Sequence, residues 1–158
     1  MRKVYFDVET RSEVDLSEVG AVLYAEHPST SLLCAAWGST PDTVRYVEGK
    51  HLGLEYSWMH DLYELACDPD VVFVCHNAFF EQQIWRVIFV EILGYPEIPI
   101  ERWACTQAKA YYYSLPGALE HACAALKLEY QKDKVGKKSM RKLSQPRKIN
   151  SRNKDPWW

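Results

Sequence analysis

The chain has 158 residues, 47% of them hydrophobic and 25% charged, with a formal net charge of −2 at pH 7. These values fit a single globular domain and exclude a disordered, collagenous or linker-like chain. The longest apolar run, Leu32 to Trp37, is six residues, and Val71 to Cys75 is five, far short of the ~20 that span a bilayer, and Asp7 and Glu9 follow Arg2 and Lys3 too closely for an apolar signal region. The expectation is a soluble cytoplasmic protein with no membrane partner.

Five cysteines, Cys34, Cys67, Cys75, Cys105 and Cys123, are widely spaced and contain no C-x-x-C pair. That disfavours a disulfide framework and a zinc site and predicts reduced thiols within apolar segments. The net charge hides a polarity. Residues 1–128 hold nine Lys and Arg against eighteen Asp and Glu, −9; residues 129–158 hold ten against three, +7. The chain divides into a core, 1–128, and a basic, partly irregular tail, 129–158. The tail is either a nucleic-acid contact or a solvated extension.

In chain order, residues 3–9 read as a strand rich in β-branched and aromatic residues. Residues 31–38 and 43–48 read as a hairpin around the turn cluster at 38–42. Leu54, Trp58, Leu62 and Leu65 predict a helix over 54–67 that Asp68-Pro69-Asp70 ends. Val71 to Cys75 is a short, wholly apolar strand, suited to burial on both faces. A helix then opens at His76-Asn77, with Asn77 as N-cap, Phe80, Ile84, Val87, Ile88 and Ile92 on one face, and Gly94 past its end. Leu115, Leu119, Ala122, Cys123 and Leu126 mark a later helix, and 135–143 a short basic one. The order is that of a mixed α/β sheet. A ribonuclease H-like sheet satisfies it, as do other α/β folds.

Asp7 and Glu9 are two residues apart on a strand and so share a face. Like charges held this close repel unless a cation lies between them. The pair is either a seat for Mg²⁺ or Mn²⁺, built of hard oxygen donors, or a solvated acidic edge. Glu81 falls in the first turn of the helix after the apolar strand. If that strand is a parallel neighbour of the first, Glu81 reaches the same end of the sheet as Asp7 and Glu9. The bland readings are a carboxylate favoured by the helix dipole for Glu81 and a plain cap for Asn77. His76 reads as a structural loop histidine, and His27, His51, His60 and His121 form no cluster.

Taken together, these segments resemble a known family. Phe6-Asp7-Val8-Glu9-Thr10-Arg11 is similar to the first motif, Asp-x-Glu, of DnaQ-like 3′–5′ exonucleases. His76-Asn77-Ala78-Phe79-Phe80-Glu81 is similar to the second motif, with Glu81 where many members have Asp. The resemblance is nearest to the N-terminal proofreading domain of bacteriophage family A DNA polymerases. It extends to DLSEVGAVLYAE from Asp15, WACTQ from Trp103, LPGALE from Leu115 and KDKVGKKSMRKLSQPR from Lys132.

The resemblance implies a ribonuclease H-like mixed sheet, three antiparallel strands plus parallel additions, flanked by helices. It implies two-metal phosphodiester hydrolysis at single-stranded DNA 3′ ends, with Mg²⁺ or Mn²⁺ ions ~3.5–4 Å apart. Asp7 would bridge the ions, Glu9 would hold the first and orient the water, and Glu81 would support the second. Thr10, Asn77 and Phe80 would lie near the terminal nucleotide, and the positive charge of the tail, apart from the resemblance, predicts that Lys137, Lys138, Arg141 and Lys142 contact phosphate. The family's third motif, a Tyr or His four residues before a final Asp, has no match: Glu129 and Ser151 stand four residues before Asp133 and Asp155. The expectation is a core incomplete at its C-terminal side and impaired alone, with a polymerase chain supplying the remainder in the host cytoplasm if phage-encoded. The alternatives are a catalytically silent nucleic-acid-binding or polymerase-associated module, in which Trp157 and Trp158 could stack on bases, and a subunit that folds only against a partner.

Overall fold

A computed structural model describes residues 1–49, 56–129, 133–147, 150–152 and 157, the side chains of 56–58 and 134 excepted. His51, Leu54, Lys132, Asp155 and Trp158, named above, lie outside the described residues.

The elements run β1 (Arg2–Arg11), α1 (Leu16–Glu26), β2 (Ser31–Gly38), β3 (Arg45–Glu48), α2 (Tyr56–Cys67), β4 (Val71–Cys75), α3 (Ala78–Ile84), β5 (Trp103–Cys105), α4 (Thr106–Tyr112), α5 (Leu119–Ala125) and α6 (Lys134–Ser144). Five strands form one sheet in the order β3-β2-β1-β4-β5. The β1–β2 and β2–β3 pairs are antiparallel, and β4 and β5 add in parallel. This is the ribonuclease H-like mixed sheet, with β4 beside β1 as its apolar run predicts.

Strand alternation gives the sheet two unlike faces. Val4, Phe6 and Val8 of β1, Ala35 and Trp37 of β2, Val47 of β3 and Phe73 of β4 are buried beneath helices. Leu62 and Ala66 of α2 and Tyr24 and Ala25 of α1 close that core. Its centre is aromatic: Phe6 meets Phe73, Trp85, Phe89 and Trp103 edge-on, and Trp85 stacks on Phe89 with centroids 4.6 Å apart. The opposite face carries Tyr5, Asp7 and Glu9, and Tyr46 there is 67% exposed.

Several expectations change. The helix after Asn77 is α-helical only to Ile84 and continues as a π-helix over Trp85–Ile92. Leu93 N–H bonds back to Ile88 C=O at 3.1 Å. The wider turn rotates the apolar stripe, so Trp85, Ile88 and Phe89 are buried and Ile92 is 69% exposed. Asn77 stands at the N-cap but is left-handed, at φ 72, and makes no side-chain cap bond. Thr43 ends a 3₁₀ turn, Pro41–Thr43, so β3 starts at Arg45. The cysteines are free as expected, but Cys67 is exposed, not buried. The elements α1, β5 and α4 were not anticipated.

Candidate active site

The register places the two motifs together. Asp7 pairs with Ala36 and Glu9 with Cys34, on the open face at the C-terminal half of β1. β4 runs parallel to β1, with Tyr5 opposite Val74, and ends at Cys75. The left-handed Asn77 then turns the chain into α3, whose first turn carries Glu81. Asn77 O accepts the Phe80 N–H at 2.9 Å, which closes that turn.

Asp7 is exposed, Glu9 half-buried and Glu81 only 4% exposed. Burial pushes the Glu81 carboxyl up to about 8, and the charges of Asp7 and Glu9 push it the same way; a bond from its own backbone N–H opposes them. Its Oε2 has no hydrogen-bond partner. The same two carboxylates act on their neighbours. The Cys75 thiol is raised first by burial and then by Glu81 and Asp7, and the Cys34 thiol by burial and then by Glu9 and Asp7. A buried carboxyl with an orphaned oxygen, facing two carboxylates on a strand, has the donor chemistry a hard divalent cation requires. The three are not gathered into a cage: among the described residues, no three His, Cys, Asp or Glu side chains are grouped closely enough to hold a metal ion.

Around this centre, Thr10 is buried on the helix side and its hydroxyl bonds Tyr24 Oη at 3.0 Å. The hydroxyl is therefore committed to the core, and only the Thr10 backbone can reach a substrate on the open face. Phe80 is half-buried, its ring 5.9 Å from that of Tyr24. His76 is structural: Nε2 lies 2.7 Å from Gly117 O and Nδ1 3.0 Å from Thr106 Oγ1, tying the turn before α3 to α4 and to the loop before α5. Lys137, Lys138, Arg141 and Lys142 stand exposed on α6, and Lys137 Nζ pairs with Glu120 at 2.6 Å. Asp133 caps α6 by accepting from Val135 and Gly136 N–H. The end of α6 reaches β1, where Ser12 N–H donates to Ser144 O at 3.3 Å.

Sequence reasoning missed two features. Arg102, in a 3₁₀ turn before β5, is buried and donates to Val71 O, Ala66 O and Leu65 O at 2.8 to 2.9 Å. A lone arginine among apolar residues gives no sequence signal for such a role. The other is an open apolar groove of about 810 Å³ along Tyr5, Ala36, Pro41, Val44 and Val74, with Asp7 at its edge. A second groove of about 520 Å³, between α4 and α5, shares His76, Thr106 and Leu119 with it.

No protein-family model matches the chain. It is 31% identical over 153 residues to a DNA polymerase of Bacillus phage SP02, a match covering 97% of this chain and 22% of that polymerase. The chain thus spans about a fifth of the length of its curated relative. Among solved structures, Brucella melitensis NrnC is similar at TM-score 0.57 and 15% identity, over 84% of this chain and 55% of that one. NrnC with bound Mg²⁺ and NrnC bound to pGG each superpose at TM-score 0.57 over 85% of this chain, covering 57% and 56% of theirs, at 15% and 14% identity. The chain has a ribonuclease H-like fold and is similar in sequence to part of a phage DNA polymerase.

Proposed function

We propose that the chain is the 3′–5′ exonuclease domain of a phage-type DNA polymerase, acting in proofreading on single-stranded DNA 3′ ends. One observation carries the reading: Asp7 and Glu9 share the open face of β1, and the buried, orphaned Glu81 lies within electrostatic reach of both. Mg²⁺ or Mn²⁺, when bound, supplies an activated water and charge stabilisation at the leaving oxygen. Asp7 and Glu9 would hold it, and Glu81 would support it. The Thr10 backbone and Asn77 lie beside the terminal nucleotide, and Phe80 packs behind the site. Lys137, Lys138, Arg141 and Lys142 on α6 attract the phosphates that an acidic core repels.

The third motif, which orients the water and completes the ligand set, belongs on this reading to the remainder of the polymerase, seated over the open sheet face. The apolar groove beside Asp7 supports this. Alone, the domain is therefore impaired and works slowly, since loss of one orienting group costs on the order of 10²-fold or more in rate.

The test has two arms. Calorimetry with Mn²⁺ should show binding that Asp7→Ala abolishes. A labelled single strand should shorten slowly from its 3′ end with Mn²⁺, and Asp7→Asn should stop it. Equal Mn²⁺ binding by wild type and Asp7→Ala overturns the metal assignment. Mn²⁺ binding and strand binding with no shortening favours the second reading, a catalytically silent nucleic-acid-binding module. The ungrouped carboxylates are the observation on its side.

A further inference from the structure

The C-terminal tail returns to the catalytic strand. The Trp157 ring lies over the Arg11 guanidinium, 4.9 Å from carbon to centroid. Arg11 is the next residue after Asp7 and Glu9 in the alternation of β1, so all three belong to one face. The single irregularity in the β1–β2 pairing, between Glu9 and Thr10, places the extra residue on β2, where Cys34 and Leu32 are the successive partners. It therefore leaves the alternation of β1 intact. Arg11 is fixed from below: its Nε donates to Oγ of Ser31, its cross-strand partner, at 3.0 Å.

We infer that Arg11 and Trp157 form a nucleotide subsite of the exonuclease groove, the guanidinium taking a phosphate and the indole stacking on the base of a nucleotide inward from the 3′ end. The chemistry selects the ligand. A flat aromatic surface beside a fixed cation matches one unit of a single nucleic-acid strand, which alternates anionic phosphates with π faces. The spacing selects the position. Four residues of antiparallel strand separate Arg11 from Asp7, roughly 13 Å, so the pair meets the strand beyond its terminal nucleotide. The C-terminus of α6, the helix that carries the exposed cations, bonds Ser12, the residue after Arg11. The indole is half-buried with its base on Arg11, which lowers the ordering cost of stacking.

This inference rests on the exonuclease reading for its substrate, and the experiment separates the two. Binding is measured by fluorescence anisotropy in the Asp7→Asn background with Mg²⁺ present, so that no strand is consumed. Two probes are used, a labelled oligothymidine and an abasic oligonucleotide of equal length. Trp157→Ala should weaken oligothymidine binding about tenfold, within the range for loss of one stacked base, and leave the abasic probe unchanged. Trp157→Phe should retain most of the affinity, and Arg11→Lys should weaken both probes, since it keeps charge but loses the planar surface and the Ser31 bond. Equal losses on both probes for Trp157→Ala mean that the indole only tethers the basic tail, and overturn the subsite. Unchanged affinity overturns it too. Tighter binding overturns it in favour of a tail that covers the groove. Absence of 3′ hydrolysis in the unmutated chain, with base-dependent binding intact, counts against the exonuclease reading and leaves the subsite standing.

Discussion

Glu81 links stability to the site. Without a cation its carboxyl keeps its proton to about pH 8, through burial first and then the fields of Asp7 and Glu9. The unfolded carboxyl releases its proton near the ordinary value of 4.5. Between these values the folded state holds more protons than the unfolded, so stability falls as pH rises from about 4.5 to about 8, by at most roughly 4 kcal/mol. Urea melts in chelator at pH 5 and pH 8 should show that loss, and Glu81→Gln should flatten it. Saturating Mn²⁺ should restore the wild type at pH 8, as any ligand of the native state does. A pH-independent midpoint in chelator would contradict the burial of this carboxyl. Arg102 makes a contrasting, purely structural case. Its three donations tie the end of α2 to the start of β4. Arg102→Ala should cost about 3 kcal/mol, because buried carbonyls lose their donors, with strand affinity unchanged. An unaltered urea midpoint would refute that. Asp7 and Glu9 were legible in the sequence because a two-residue period needs only one strand. The contribution of Arg102 was not, because its partners are backbone atoms on two distant elements.

Among elements, the ones read well are those whose pattern is set by a single neighbour. β4 shows as an apolar run because both its faces are covered, with only Val72 half-buried, and β1 shows by alternation. α1 was hidden by Gly20, at φ 78, which breaks the helix in its middle, and by Val22 and Leu23 facing outward. β5 is three residues long and takes its identity from β4 beside it. The π-helix after α3 shifted an apolar face that a 3.6-residue period placed wrongly at Ile92. The basic helix α6 was read correctly, yet the four cations singled out on it are not equivalent. Lys137 is already paired with Glu120, whereas Lys138 and Arg141 face solvent. Strand binding through about three phosphates gives a log–log salt slope of roughly −2, at about −0.7 per contact. Lys138→Gln should therefore flatten the slope more than Lys137→Gln in a filter-binding titration. Equal effects would show that the Glu120 pair opens on binding.

The whole molecule is an unequal sandwich. One face of the sheet is sealed by an aromatic core under α1, α2 and α3. The other bears the carboxylates and an apolar groove that Asp7 borders, with Tyr5 and Val44 each more than half exposed. A sheet normally covers its apolar faces, and an exposed patch of this kind marks a contact surface. If a polymerase chain covers it, the domain alone should show the cost of leaving it bare. An apolar dye should bind the isolated domain, and sedimentation should show self-association that rises with concentration. Val44→Lys together with Tyr46→Lys should suppress both. The folded core should keep its urea midpoint, because neither side chain belongs to the sealed face. If the pair of substitutions lowers the midpoint, these residues support the fold rather than a contact. If the wild-type domain stays monomeric and binds no dye, the open face needs no partner and the third motif must be sought elsewhere.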